Sequence, residues 1–595
     1  MCRIAGIIRP TATISNSEII AMRDSMQHGG PDDAGVYFND ESHVALGHRR
    51  LSLIDLSEAG HQPMLNKENN LVIVFNGEIY NYLTIQAELK LLGYQFISHS
   101  DTEVIIAAYQ HWGVDCFEKF NGMFALAIYD IPKKELILAR DHAGIKPLYY
   151  SFYKEGFYFA SETKAFKQID YNWPENPDWK TFLLCFGHMP EPFTTLDGVL
   201  SLPKGSYMKV NLNNLHSSLY RFNQTHYQYT ITKESEAIDA IRTSLTASVK
   251  RHLISDAPIG LFLSGGIDSS ILTILAKEFT GAHLNTLSID FAESAFSEKK
   301  YQDIIIQQTG AKHQSFTIDQ SNFQDSINDI LLAMDQPSND GINSYFITKY
   351  AQEAGLKAVL SGIGADELLG GYPSFKRAAL LSKTKLIPVF LLHLAELFKD
   401  DKKRKIRFLE RKNAWGQYLF NRGFFTPLQI SSILQISVNE IQATIDKVSM
   451  PPFLSKLNLQ EQVSFTETNL YMQNQLLRDT DFMSMWHSVE VRVPFLDKEF
   501  IQVCHSIHPS LRLNGGPKHL LIKAFKDVLP EAIWNRPKQG FAFPFQQWMV
   551  NTDLPTDKND LNQHFNDALK NGNTHWSRYW CYCLSQMPPK QNRAW

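Results

Sequence analysis

The chain is 595 residues long, 44% hydrophobic and 20% charged, with a formal net charge of -4. One core does not extend over that length, so two or more domains are expected, and the charge excludes a nucleic-acid binder driven by a basic surface. Six cysteines are too few for a disulfide scaffold and Met1 to Gly6 carries no secretory run, so the expected setting is a reducing cytoplasm with no membrane partner.

In chain order, Cys2 comes first. Loss of Met1, expected before a small residue, would put a thiol and a free α-amine on one residue, a nucleophile with its own base. The plain alternative is a buried cysteine on a first strand, with Cys2, Ile4 and Gly6 on one face. Ser15 and Glu18 have the spacing of a capping box and open a helix that ends near His28-Gly29-Gly30-Pro31-Asp32. Val44 to Arg49, Leu71 to Asn76, Met123 to Tyr129 and Leu136 to Arg140 read as strands. Ile85, Leu89 and Leu92 form one helix face, and Val104 to Trp112 reads as a second helix. The interleaving predicts two sheets covered by helices.

Four stretches here stand together: Met1-Cys2, His48-Arg49-Arg50-Leu51-Ser52, Phe75-Asn76-Gly77-Glu78-Ile79-Tyr80-Asn81 and Ser100-Asp101-Thr102-Glu103. They resemble the N-terminal glutaminase domain of the class II glutamine amidotransferases, over residues 2 to 165. The resemblance implies a four-layer αββα N-terminal-nucleophile fold in which Cys2 attacks the glutamine side-chain amide and releases ammonia. It also implies that Arg50 grips the glutamine α-carboxylate, that Asn76 and Gly77 form the oxyanion hole, and that Glu78 and Asp101 hold the α-ammonium. Asn-Gly is equally a hairpin signal, and Asp101 equally a helix N-cap. His28-Gly29-Gly30 stands where the family reads His-Arg-Gly, so an arginine over the glutamine pocket is missing while no catalytic atom is lost. Arg140 to Tyr150 and Ala160 to Ala165 match the same family and read as a seam between domains.

From Asp170 to Lys233 there is little periodicity, which predicts a connecting region wrapped on a surface. Ile238, Ile241, Leu245, Val249 and Leu253 then form a helical stripe leading into the run Ile259 to Ser270. That run is an apolar strand, a Ser264-Gly265-Gly266 turn and a helix start, an arrangement whose free N–H groups face an anion. No Gly-Lys dipeptide occurs, which excludes the Walker loop; Ser264 to Ser269 instead looks like the pyrophosphate loop of enzymes that cleave ATP between its α and β phosphates. Strands Leu284 to Phe291 and His313 to Ile318 alternate with helices Tyr301 to Thr309 and Ile342 to Ala354. This predicts a parallel sheet with its ligand beyond the carboxyl ends of the strands.

Ala358 to Tyr372 adds small residues and two carboxylates to such an end. Carboxylates beside a triphosphate need a bridging cation, so Asp268 and Asp366 are candidate Mg2+ ligands, with Glu367 behind them; the alternative is a capped helix start. Leu386 to Phe398 is apolar but too short to span a bilayer and is expected as a buried helix. Asp400 to Lys412 is expected as a solvated helix face. Trp580-Cys581-Tyr582-Cys583, with no second cysteine pair to complete a zinc site, is expected as an aromatic packing segment.

With Met483 to Asp497, Pro517-Lys518-His519-Leu520-Leu521 and Arg536 to Phe541, the second half resembles the asparagine synthetase domain. The resemblance implies that ATP activates a side-chain carboxylate as an acyl-adenylate, which ammonia from an internal channel then attacks. By the same resemblance Leu263, Ser264, Gly265, Gly266, Asp268, Ser269, Ile289, Ser361 and Gly362 bind ATP. Lys518 would neutralise developing charge, Arg492 would orient the acceptor or a neighbouring loop, and Glu367 would face the acceptor. The expected partners are glutamine, ATP with Mg2+, and aspartate. Ile363 stands where the family reads Glu, so a carboxylate on a surface glycan, peptide or secondary metabolite is the alternative acceptor. The expected division is a glutaminase domain over 2–210, an α/β synthetase domain over 235–550 and an extension over 551–595, with a homodimer left open.

Overall fold

The computed structural model describes all residues except 1, 40, 42, 225–226, 294–295, 399, 538–542, 553, 555–559 and 588–595. Met1, and Lys538, Gln539, Gly540 and Phe541 of the Arg536 stretch, therefore lie outside the described residues.

The first part of the chain contributes β1 (Arg3–Ile8), β2 (Asp33–Phe38), β3 (Val44–Arg50), β4 (Met64–Leu65), β5 (Leu71–Ile79) and β6 (Gly122–Asp130). After these come β7 (Glu135–Arg140), β8 (Tyr149–Tyr153), β9 (Gly156–Ala160), β10 (Leu200–Ser201), β11 (Ser206–Asn211) and β12 (Ser217–Arg221). They form two six-stranded antiparallel sheets, ordered β10-β8-β9-β1-β3-β2 and β12-β11-β7-β6-β5-β4. Alternate residues of facing strands, among them Ile4 and Ile8 of β1 and Val72 and Val74 of β5, pack between the sheets. The intervening residues turn outward: Ala5 and Ile7 meet Ile19 and Met22 of the helix Asn16–Asp24, and Ile73 and Phe75 meet Ile105 and Leu89 of two further helices. Period-two patterning thus produces helix, sheet, sheet, helix. The Ser15–Glu18 capping box is formed as expected.

The second part carries β13 (Ile259–Phe262), β14 (Asn285–Phe291), β15 (Lys312–Ile318), β16 (Ala358–Leu360) and β17 (Glu490–Arg492) in one parallel sheet ordered β15-β14-β13-β16-β17. Helices Glu234–His252, Ile267–Thr280, Lys299–Thr309 and Ile342–Glu353 connect or cover it. The helix Trp576–Gln586 joins the same core, with Trp580, Cys581, Tyr582 and Cys583 fully buried, so that segment is the packing element expected.

Two expectations are corrected. Residues 170–233 are not a plain connector: they hold the helix Trp179–Phe186 and strands β11 and β12, which extend the second sheet. The buried–intermediate alternation of β11 spans only six residues between turns, too short to stand out from its surroundings. Leu386 to Phe398 is not a buried helix either. It forms short turns, Val389–His393 and Leu394–Leu397, in which only Leu392 and Ala395 are buried. A helical turn buries one face; here every face is apolar, so Leu386, Phe390 and Leu397 are left 87%, 66% and 80% exposed. No described helix is long and apolar enough to cross a membrane.

Candidate active site

Cys2 lies immediately before β1, buried where β3 and β5 run close by. Its N–H donates to Asn76 Oδ1 at 3.3 Å. The other end of that amide, Asn76 Nδ2, is buried with no hydrogen-bond acceptor, a donor aimed at no protein group. Gly77 follows with φ +153, and a Cβ there would stand 2.1 Å from the Met123 carbonyl oxygen on β6, so only glycine fits. Burial pushes the Cys2 thiol above its ordinary value, while the Leu51 amide and Arg50 pull the other way. The Arg50 guanidinium is fixed from behind by the Ser57 and Asp55 carbonyls, at 2.8 and 2.5 Å. Gly60 makes room for it, since a Cβ there would fall 1.9 Å from Arg50 Nη2.

Three buried carboxylates gather beside this centre. Asp101 is not the helix cap: Ser100 caps the helix Asp101–Trp112, and Asp101 Oδ2 accepts the Ile79 N–H at 2.9 Å. Burial, with Glu490 adding repulsion, raises Asp101 to about 6. Burial and the charges of Glu490 and Asp101 raise Glu78 well above the usual carboxylate range. The cation among them is Arg492, 2.5 Å from Glu490 and 3.5 Å from Glu78. Three acids around one guanidinium leave a deficit of positive charge, which suits a further ammonium.

The second centre forms at the carboxyl ends of β13, β14 and β16. Gly265 takes φ +76 in the turn after β13, and the Ser264 and Ser269 hydroxyls lie 3.1 Å apart across it. Leu263 and Ile289 are buried beneath. Ser361 follows β16, and a Cβ on Gly362 would come within 2.9 Å of Asp268 Cβ, so the two glycine turns touch. The Lys518 ammonium lies 2.5 Å from Asp268 and 2.6 Å from Asp366, which raise its pKa against the opposing effect of burial. Lys518 itself sits at φ +53, an uncommon backbone for a lysine, at the start of the helix His519–Phe525.

The structure thus brings Cys2, Arg50, Asn76, Gly77, Glu78 and Asp101 together in one centre. Leu263, Ser264, Gly265, Gly266, Asp268, Ser269, Ile289, Ser361, Gly362, Asp366 and Lys518 gather in the other. One residue departs from expectation. Glu367 does not join Asp366, because neighbouring helix positions point apart; it is buried and accepts from the Tyr372 hydroxyl at 2.7 Å. Arg492 reaches back towards the glutaminase centre, donating also to the His252 and Ile254 carbonyls, and not into the phosphate loop.

Sequence reading missed Glu490, although its position two residues before Arg492 on a strand puts both on one face. It assigned no role to Arg536, which donates to the Gly265 carbonyl at 2.9 Å while stacking on Tyr301. It also missed the buried network around Arg3, which bonds Glu162 and Asp481 at 2.7 Å each. No local pattern announces partners 159 and 478 residues away.

A glutamine amidotransferase domain model matches residues 1–221, and an asparagine synthase model matches residues 240–573. The glutamine-hydrolysing asparagine synthetase 1 of Bacillus subtilis (strain 168) is 33% identical over 592 residues, covering 96% of this chain and 90% of its own. A putative glutamine-hydrolysing asparagine synthetase of Mycobacterium bovis is 29% identical, over 92% of this chain and 87% of its own. Asparagine synthetase B of Escherichia coli (strain K12) is 27% identical, over 91% and 82%. The chain therefore belongs to the family of glutamine-hydrolysing asparagine synthetases, ATP-dependent ligases that carry a glutamine amidotransferase domain.

Proposed function

We propose that the chain transfers the amide nitrogen of glutamine to a carboxylic acid activated by ATP, with aspartate as the acceptor. In the first centre the Cys2 thiolate attacks the glutamine amide carbon, the C–N bond breaks, and ammonia leaves a thioester that water hydrolyses to glutamate. The α-amine of Cys2, freed by loss of Met1, is the base. Asn76 Nδ2 and the Gly77 N–H meet the oxyanion, Arg50 takes the α-carboxylate, and Asp101 with Glu78 takes the α-ammonium. The ammonia stays inside the protein, since in neutral water it would be protonated and lose its nucleophilicity.

In the second centre the acceptor carboxylate attacks the α-phosphate, pyrophosphate leaves, and ammonia then displaces AMP. The observation that carries this reading is the Lys518 ammonium clamped between Asp268 of the phosphate loop and Asp366, at 2.5 and 2.6 Å. It is a fixed positive charge where phosphate charge develops. Asp268 and Asp366 are also the residues that would hold Mg2+; the point on which they converge is taken by the Lys518 ammonium, so the ion would sit beside it, and since among the described residues no third acidic, histidine or cysteine ligand joins them, phosphate oxygens would complete its shell. Such an ion would offset the charge of the triphosphate. All six cysteines are free, in keeping with a reducing compartment.

ATP–pyrophosphate exchange, assayed with aspartate and a panel of other acids, tests the reading. Exchange that requires aspartate supports it, and absence of exchange with every acid defeats it. One observation favours a second acceptor: Ile363 is apolar, and Glu367, turned to Tyr372, does not replace the missing acid. Exchange with another acid but not with aspartate would establish that version.

A further inference from the structure

Large apolar side chains left in water concentrate in one place. Leu386, Phe390, Leu391, Leu394, Leu397 and Phe398 are all exposed within thirteen residues, a density no other described stretch approaches. The segment is tied to the protein by Leu392, which packs with Leu381 and Leu409, by Ile387 beside them and by the buried Ala395, while those six side chains stay exposed. A contiguous patch of this kind marks an interface.

The charges around it select the partner. Lys376, Arg377, Lys383, Lys385, Lys402 and Lys403 are exposed, and none forms an ion pair among the described residues. The nearby acids are mostly engaged: Asp401 with Arg578, Glu396 with the Thr426 hydroxyl, and Glu410 with His393. Asp400 caps the Lys402 N–H. In a chain of net charge -4, Lys383 and Lys385 thus flank the apolar segment on one side in sequence and Lys402 and Lys403 on the other, with the Lys403 ammonium 5.8 Å from the Phe398 ring. A second copy docked by the same face would set these cations against one another. Lysine is also depleted from protein–protein interfaces, whereas apolar side chains ringed by lysine are the pattern of interfacial membrane binding.

We propose that the apolar patch of residues 386–398 and its flanking cations dock this protein on an anionic lipid surface. The leucine and phenylalanine side chains enter the boundary between headgroup and acyl chain, and the lysines meet the lipid phosphates. Glu396 and Lys402 also line a cavity of about 1770 Å3 that reaches Asn343 and Tyr471, so docking brings that cavity to the membrane.

The test is co-sedimentation of the full chain with vesicles of phosphatidylcholine alone or mixed equally with phosphatidylglycerol. At low salt the wild type should partition onto the anionic vesicles at least about tenfold more strongly, and lose the preference as salt screens it. The triple variant Phe390→Glu, Leu394→Glu, Leu397→Glu should lose at least about tenfold of this binding while keeping glutaminase activity, which also reports that it folds. Replacing Lys383, Lys385, Lys402 and Lys403 by serine should abolish the preference for anionic lipid, at roughly fivefold per lysine. No wild-type binding, equal binding to both vesicles, or full binding by the triple variant overturns the proposal. So does a wild type that ignores vesicles but self-associates through this patch.

Discussion

The Arg492 guanidinium, carried by the edge strand of the parallel sheet, ends 3.5 Å from the carboxylate of Glu78 in the other half of the molecule. Both groups are buried, and Glu490 takes the other side of the arginine at 2.5 Å. Removing the guanidinium leaves acids buried without their countercharge, a loss that typically costs about 3–5 kcal/mol. Arg492→Met should therefore lower the unfolding free energy of the full chain by about that amount. Adding Glu490→Gln to it should restore part of the loss in a denaturant titration, because the carboxylate that Arg492 keeps ionised is then gone.

The same cluster sets a pH dependence. Asp101, raised to about 6 by burial, is neutral below that pH and ionised above it, and burial raises Glu78 as well. A neutral carboxyl does not pair with an ammonium, so glutamine affinity should increase as pH rises through about 6. Below it, KM for glutamine should rise by up to about tenfold per unit. Asp101→Asn should raise KM and flatten the profile. Steady-state glutaminase assays from pH 5 to 8 distinguish these outcomes.

How much of this was legible in the sequence follows from the range of each interaction. The phosphate loop and the Asn76-Gly77 turn are local: strand, turn and glycine conformation sit within a few residues, so their chemistry can be read directly. Asp366 and Glu367 were legible as a carboxylate pair, but only helix geometry decides that one faces Lys518 and the other Tyr372. Arg492 was legible as important, but its ion pair with Glu78 was not, because the two residues lie more than four hundred positions apart in the sequence. The exposed Leu386–Phe398 patch was misread because an apolar run normally signals burial, and the composition of a segment does not report where the rest of the chain leaves it.

Asn76 should separate two functions of one amide. Asn76→Asp keeps the oxygen that accepts from the Cys2 N–H but removes the unpaired Nδ2 donor. If that donor meets the oxyanion, kcat for glutamine hydrolysis should fall by about 10²–10³ with KM little changed. Activity driven by added ammonia should persist, as it should in Cys2→Ala. Parallel glutamine- and ammonia-dependent assays check both.

Lys518→Met removes the positive group held between Asp268 and Asp366. Two carboxylates held that close repel one another and the triphosphate, so ATP–pyrophosphate exchange should drop by at least about 10² while glutamine hydrolysis continues. Asp366→Asn in that background should relieve the repulsion and recover thermal stability without recovering exchange.

Arg3, next to the nucleophile, connects the two halves most directly. It is fully buried, with Glu162 of the glutaminase part on its Nε and Asp481 of the helix Arg478–Trp486 on its Nη1, each at 2.7 Å. Lys146 adds a second cation to Asp481 at 3.1 Å, and Lys164 joins Glu162 at 2.5 Å, so three cations converge on these two buried carboxylates. Despite burial, Lys164, His28 and Arg3 hold Glu162 well below the usual carboxylate range. Asp481→Asn retains the shape but deletes one charge, leaving Arg3 drawn towards Glu162 alone. Because Arg3 and Cys2 are consecutive, a small shift of one displaces the other, and misplacement by about 1 Å can cost about 10² in rate. The variant should lose glutaminase kcat by about tenfold or more although it contacts no part of the glutamine pocket, while KM for ATP stays unchanged. A glutaminase kcat equal to wild type would show that the network holds the halves together without positioning the thiol.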